Sequence, residues 1–279
     1  MSAPGLPSLT ALRYLQPLRE GGSLPAVVET DAGMVVVKFR GAGQGPRALI
    51  AELIVGMIAR VIGLRVPDLS LVHVPAGFGS EQRDPEVREL LEASEGVNVG
   101  LSYLDGAFNF DAGAAGDLVE PGFADDLVWL DAYVTNPDRT PRNPNLLVWE
   151  RRLWLIDHGS ALYAHHAWDT VDGERTRTPF PLIREHVMLS AASGLASADR
   201  TIARLLDAQR LAAILAAVPD ALLMDPLARG GFGSAGQARD RYLRYLIERI
   251  AEPRVFVAEA EHQRAERRER PGRRRPIRR

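Results

Sequence analysis

Two β-branched runs, 26–30 (AVVET) and 34–39 (MVVVKF), flank Asp31-Ala32-Gly33. Such runs around a Gly-containing turn predict a β-hairpin. The pattern then changes: residues 46–62 (PRALIAELIVGMIARVI) predict a helix, opened by Pro46 and ended by Gly63. A short strand at 69–74, a polar helix near 84–94 and a strand at 97–104 follow. In the second half, residues 123–135 place Leu127, Leu130 and Val134 at helical spacing. After them come a polar loop, NPDRTPRNPN at 136–145, and two short strands at 146–149 and 153–157 joined by Glu150-Arg151-Arg152. Helical patterns cover 182–192, 198–217, 219–227 and 238–262, and no internal repeat is present. A β-rich first part and a helix-rich second part predict an α+β fold of two lobes with a cleft between them. The expected division is 1–104, 105–262 and a basic, disordered tail at 263–279.

Composition narrows the class. The 279 residues are 46% apolar and 25% charged, as in globular proteins, and a chain of this size needs no disulfide or metal staple. The absence of Cys excludes thiol nucleophiles, disulfide frameworks, thiolate zinc and iron–sulfur sites. No apolar run approaches the ~18 residues of a membrane span, and the N-terminus does not read as a signal peptide. The expectation is a soluble, cytoplasmic protein. The formal net charge of −2 hides an asymmetry: residues 264–279 carry +7 and the rest −9. An acidic body is not the footprint of a nucleic-acid-binding fold, so contact with nucleic acid or an anionic surface is expected only through the Arg-rich tail. The chain holds 33 Arg and a single Lys, Lys38. A narrow site that must place one compact ammonium against phosphate oxygens has reason to refuse the broader Arg fork.

The polar loop carries the densest chemistry. Asp138 sits in a tight turn between Pro137 and Arg139, Asn143 and Asn145 lie five and seven residues on, and a strand ends in Ile156-Asp157-His158-Gly159. Asp157 and one of the two Asn residues suit a hard cation such as Mg²⁺, and Asp138 is placed to accept a proton from an incoming hydroxyl. Phosphoryl transfer, which rests on positioning and charge neutralisation, needs that division of labour. In the first half, Lys38 lies on a strand and Glu52 on the next helix among Ala48, Leu49, Val55, Gly56 and Ala59. A carboxylate in an apolar stripe requires a partner, and Lys38 is the natural one. Gly21, Gly22 and Ser23 form a loop suited to cover phosphates with backbone N–H groups.

The order of glycine loop, strand Lys, helix Glu, Asp-Arg, Asn and IDHG resembles the protein-kinase-like superfamily. EGGSLP at 20–25, VVVKF at 35–39, NPDRTPRNPNLLV at 136–148 and LIDHGSAL at 155–162 are most similar to the HipA-like kinases, in which Arg follows the catalytic Asp. The resemblance covers roughly residues 15–245. It implies a bilobal kinase fold, ATP and Mg²⁺ as cofactors, and transfer to a protein hydroxyl. By position it makes Asp138 the base, with Arg139 and Lys38 counted beside it as catalytic, Lys38 on the α/β-phosphates, and Asp157 a metal ligand with Asn143 or Asn145, the latter favoured by its place before a strand. The backbone of Ser102, Tyr103 and Leu104 is expected to meet adenine. Three other readings compete: a catalytically inactive kinase fold, a lipid kinase, and a dinucleotide-binding protein in which Gly41-Ala42-Gly43-Gln44-Gly45 imitates a GxGxxG turn.

Overall fold

The computed structural model describes residues 5–18, 24–43 and 45–269. Its first element, β1 (Ser8–Pro17), is one the hydrophobic pattern does not announce, since only Ala11 in it is buried. Two register shifts against β2 (Ala26–Thr30) break the alternation that marks a strand in sequence. The predicted hairpin forms: β2 and β3 (Gly33–Lys38) pair antiparallel from Ala26–Val37 to Thr30–Gly33. Next come α1 (Gly45–Val61), β4 (Leu69–Val74), α2 (Pro85–Glu92) and β5 (Gly96–Ser102). Strands in the order β1-β2-β3-β5-β4 close into a barrel, completed by parallel pairing of β4 with β1.

The segment between β3 and α1 corrects the dinucleotide reading. Both neighbours of β3 run antiparallel to it, so no parallel βαβ crossover exists there. Gly41 has a packing reason instead: a Cβ on it would lie 2.7 Å from Ala93 Cβ and 2.8 Å from Ser94 Oγ.

After the barrel follow β6 (Phe108–Asn109), the single-turn α3 (Ala112–Ala115), α4 (Phe123–Tyr133), β7 (Leu146–Trp149) and β8 (Arg152–Leu155), the strands forming a sheet in the order β6-β7-β8. The rest is helical: α5 (Gly173–Thr176), α6 (Leu195–Leu205), α7 (Ala208–Ala216), α8 (Asp220–Leu223), α9 (Ala235–Ile250) and α10 (Val255–Glu269). None of the helices formed by the described residues is long and apolar enough to cross a membrane.

Helix boundaries depart from the pattern where polar caps intervene. Residues 198–217 are two helices, because Asp207 Oδ1 accepts the Arg210 N–H at 2.8 Å and starts α7. Pro253 separates α9 from α10, since it lacks the N–H that a continuing helix needs. The stretch at 182–192 is a 3₁₀ turn, Pro181–Glu185, followed by turns whose amides bond to side chains: Met188 N–H to His186 Nδ1, and Ser193 and Gly194 N–H to Asp125. The expected disordered tail also needs correction, because α10 runs on through residues 263–269. Arg264 there pairs with Glu261 and Arg267 donates to His186 O, while the remainder of the tail, 270–279, lies outside the described residues.

Two cores result. A small one of Val28, Val37, Phe39, Val72 and Leu91 fills the barrel. The large one is continuous across residue 104: Leu49, Leu53, Ile54 and Ile58 of α1 share it with Leu127, Leu130, Leu155, Leu195 and Leu211. Helix α1 is packed against α7 and α8, which ties a helix of the first half to the second.

Candidate active site

The hairpin register places the Lys38 side chain at the inner end of β3, buried, facing α1 and the turn after β8. Its Nζ donates to Glu52 Oε2 at 2.8 Å and to Asp157 Oδ1 at 2.5 Å. Glu52 is fully buried, and its Oε2 also accepts the His158 N–H at 2.7 Å. Burial alone lowers the Lys38 pKa, but the Glu52 and Asp157 carboxylates outweigh it and hold the ammonium charged. Burial likewise works to raise the Asp157 pKa, and Lys38 above all, with Arg139, overcomes it, so the carboxylate stays ionised.

A second cluster surrounds Asp138, which is half-buried. Its Oδ2 accepts from Asn143 Nδ2 at 3.0 Å and from Asn145 Nδ2 at 3.2 Å. Asn143 is exposed and Asn145 buried. Asn145 and Asp157 both adopt left-handed backbone conformations, φ 49° and 57°. Asn and Asp tolerate this region better than other side chains do. The Asn145 carbonyl accepts the Ile156 N–H at 3.1 Å, so Asn145 and Asp157 stand beside each other where β7 and β8 begin to pair.

The two clusters are joined from inside. Arg139 points away from the mouth and is 1% exposed. Its Nε donates to Asp131 Oδ2 at 2.6 Å, one terminal nitrogen to the carbonyls of Asn145 and Ile156 at 2.5 and 3.3 Å, and the other to His158 Nδ1 at 3.2 Å. Asp131 also accepts from Asn136 Nδ2 and His186 Nε2, and Asn136 Oδ1 in turn accepts the Asp138 N–H. Burial of Asp131 opposes its charge, but Arg139 and His186 hold its pKa far below the usual carboxylate range. Burial pushes the His158 pKa down to about 4 and keeps the ring neutral.

The remaining predicted positions lie around these clusters. Ala26 of β2 pairs with Val37, and Leu18 N–H bonds to Pro25 O, so the loop between β1 and β2 leaves the barrel beside Lys38. Gly21, Gly22 and Ser23 of that loop lie outside the described residues. Ser102 ends β5, opposite Val35 of the Lys38 strand. Its N–H and hydroxyl both serve Asp68, and the Leu104 carbonyl accepts Ala107 N–H.

Asp131, Asn136 and His186 are the polar residues that sequence reasoning missed. Asp131 had one available signal, a carboxylate on the apolar side of α4 one residue past Leu130. His186 carried none. His165 and His166 sit in a 3₁₀ turn, Tyr163–His166.

An ammonium paired with two carboxylates, beside a carboxylate flanked by two amides, suits a polyanion accompanied by a hard cation. Comparison with known proteins agrees in kind. The profile of the HipA-like kinase family matches residues 14–173. No curated protein matches the chain. The crystal structure of the Helicobacter pylori proinflammatory kinase CtkA superposes with a TM-score of 0.55 at 12% identity, covering 94% of this chain and 98% of that one. At that identity the likeness speaks to the fold, while the family match spans more than half of the sequence and includes Lys38, Glu52, Asp138 and Asp157. The chain belongs to the HipA-like kinase family.

Proposed function

We propose that the protein is an ATP- and Mg²⁺-dependent kinase that phosphorylates a protein Ser or Thr hydroxyl. The reading treats the molecule as two-lobed, with the barrel and α1 over the nucleotide and the part after residue 104 carrying the chemistry. The observation that carries it is the Lys38–Glu52–Asp157 contact, which joins residues 14 and 119 positions apart in the chain.

The donor set fits the cofactors. Among the described residues no group of three or more His, Cys, Asp or Glu forms a metal cage. Mg²⁺ in phosphoryl-transfer sites needs only one or two protein ligands, because phosphate oxygens and water complete its shell. Lys38 occupies Oδ1 of Asp157, which leaves Oδ2 for the cation. Asn145 is its companion ligand, since its backbone is locked beside Asp157 while Asn143 is exposed. ATP would supply the γ-phosphoryl group and Mg²⁺ the counter-charge.

The protein's own residues do the rest. Asp138, held by the amides of Asn143 and Asn145, orients the acceptor hydroxyl and takes its proton. Lys38 neutralises phosphate charge, positioned by Glu52. Because the Ser102 N–H donates to the Asp68 carbonyl and its Oγ accepts the Asp68 N–H, adenine contacts fall to Tyr103 and Leu104. Arg139 acts as a positioning residue, since its guanidinium is buried behind the loop.

Labelled ATP and Mg²⁺, incubated with the protein and a cell lysate, test this reading. Phosphoproteins should appear with the wild type, and Asp138→Asn should lower transfer roughly 100- to 10,000-fold. Thermal stabilisation of that variant by ATP and Mg²⁺ should persist. Equal transfer by wild type and Asp138→Asn would remove the base assignment.

A further inference from the structure

His158 stands where protein kinases commonly carry the Phe of Asp-Phe-Gly, and its contacts are polar on both sides. Its main-chain N–H bonds to Glu52 Oε2 at 2.7 Å, and its ring faces Arg139 at 3.2 Å. The tautomer follows from chemistry. A guanidinium has no acceptor atom, so His158 Nδ1 must accept and the ring proton resides on Nε2. The residue is fully buried and neutral.

Through these bonds one chain of contacts runs across the site. Lys38 holds Glu52, Glu52 holds the main chain of His158, the His158 ring holds Arg139, and Arg139 holds Asp131 and the carbonyls of Asn145 and Ile156. Beside the second junction that Lys38–Asp157 and Ile156–Asn145 make at the end of β8, the phosphate side and the acceptor side of the site therefore meet at His158. An apolar side chain there would fill similar space but would leave an Arg139 donor buried without a partner.

We infer that His158 is a positioning residue for phosphoryl transfer: its Nδ1, as the acceptor for Arg139, couples the Lys38–Glu52 pair to the loop that carries Asp138 and Asn145. This rests on the kinase reading. It is distinct from a packing role, because what matters is one acceptor atom at one place rather than volume.

The distinction sets the experiment. His158→Phe keeps a ring and removes the acceptor. His158→Asn shrinks the side chain but places Oδ1 near the former Nδ1, as an acceptor for Arg139. In the full-length protein, His158→Phe should lower kcat at least 30-fold with the KM for ATP within threefold of wild type. His158→Asn should return kcat to within about fivefold of wild type. Amide hydrogen exchange gives a readout independent of turnover: residues 138–145 should exchange at least tenfold faster in His158→Phe and near the wild-type rate in His158→Asn, with residues 49–58 of α1 unchanged in both. A fully active His158→Phe, or a His158→Asn as impaired as His158→Phe, overturns the inference. So does unchanged exchange at 138–145 in His158→Phe. If wild type transfers no phosphate at all, the kinase reading fails, and the exchange pattern alone decides whether His158 holds the loop.

Discussion

Helix α1 and the segment from Asp131 to His158 hold their functional groups by different means. In α1, Leu49, Ile50, Leu53, Ile54 and Ile58 are buried apolar side chains whose packing seats the helix, and Glu52, its one carboxylate, is carried by that packing to its bonds with Lys38 and the His158 N–H. Between Asp131 and His158 the order comes from directional bonds: Asp131, Asn136, Arg139, Asn145 and His158 are all buried and bond to one another or to each other's main chain. Apolar packing is adjustable and fails in proportion to volume removed. A buried polar arrangement fails by the step, because each lost partner strands a donor or a charge. One site thus combines a tolerant wall with an intolerant one.

The sharpest break should come from the intolerant side. Arg139→Ala would leave Asp131 ionised and buried with only His186 and Asn136 as partners. Losing one member of a buried ion pair typically costs about 3–5 kcal/mol. Urea denaturation should show a loss of that size, together with a fall in phosphate transfer. A variant of near-wild-type stability that has lost only transfer would instead make Arg139 a group that contacts substrate.

The tolerant side gives the contrast. Leu53→Ala in α1 removes a fully buried side chain and should cost about 3 kcal/mol, within the usual span for such cavities. Because the surrounding core can close in, Leu53→Met should recover most of that loss. No comparable recovery is expected for Arg139→Lys, whose single ammonium cannot reach Asp131, two carbonyls and His158 together. If Arg139→Lys is as benign as Leu53→Met, the two regions do not differ in kind.

The same difference explains what was legible in sequence. The hairpin, α1, β4, β5, β7 and β8 follow from runs and turn residues, because burial in them is a local pattern. Lys38, Glu52, Asp138 and Asp157 stand out as charged residues in places where charge needs a reason. Two of their contacts, Lys38 with Glu52 and Lys38 with Asp157, join separate parts of the chain. Arg139 shows the limit. The sequence reveals that it follows Asp138 but not that it turns inward, where its partners come from α4, the residue before β7 and the turn after β8. His186 lies 55 residues from Asp131 in a turn with no hydrophobic period, and β1 is hidden by its register shifts. Directional contacts between distant segments leave no periodic trace.

The smallest effect probes the polar wall through pH. Burial holds His158 neutral with a pKa near 4, against 6.5 for the free side chain, and burial lowers His165 and His186 as well. Between those values the unfolded chain binds more protons than the folded one, so stability falls as pH drops from 6.5 toward 4. For His158 alone the loss is about 2–3 kcal/mol over that window. Asp126 acts the other way: burial and the neighbouring Asp125 raise its pKa to about 6, so it is stabilising on acidification, and its partial exposure makes the offset smaller. Asp131 and Asp157, with lowered values, keep their contribution through this window and lose it only below about pH 4. Urea midpoints at pH 7 and pH 5 should therefore differ in the wild type, and His158→Asn, which cannot titrate, should reduce the difference. An equal pH dependence in both proteins would mean that His158 does not carry the acid sensitivity of the polar wall.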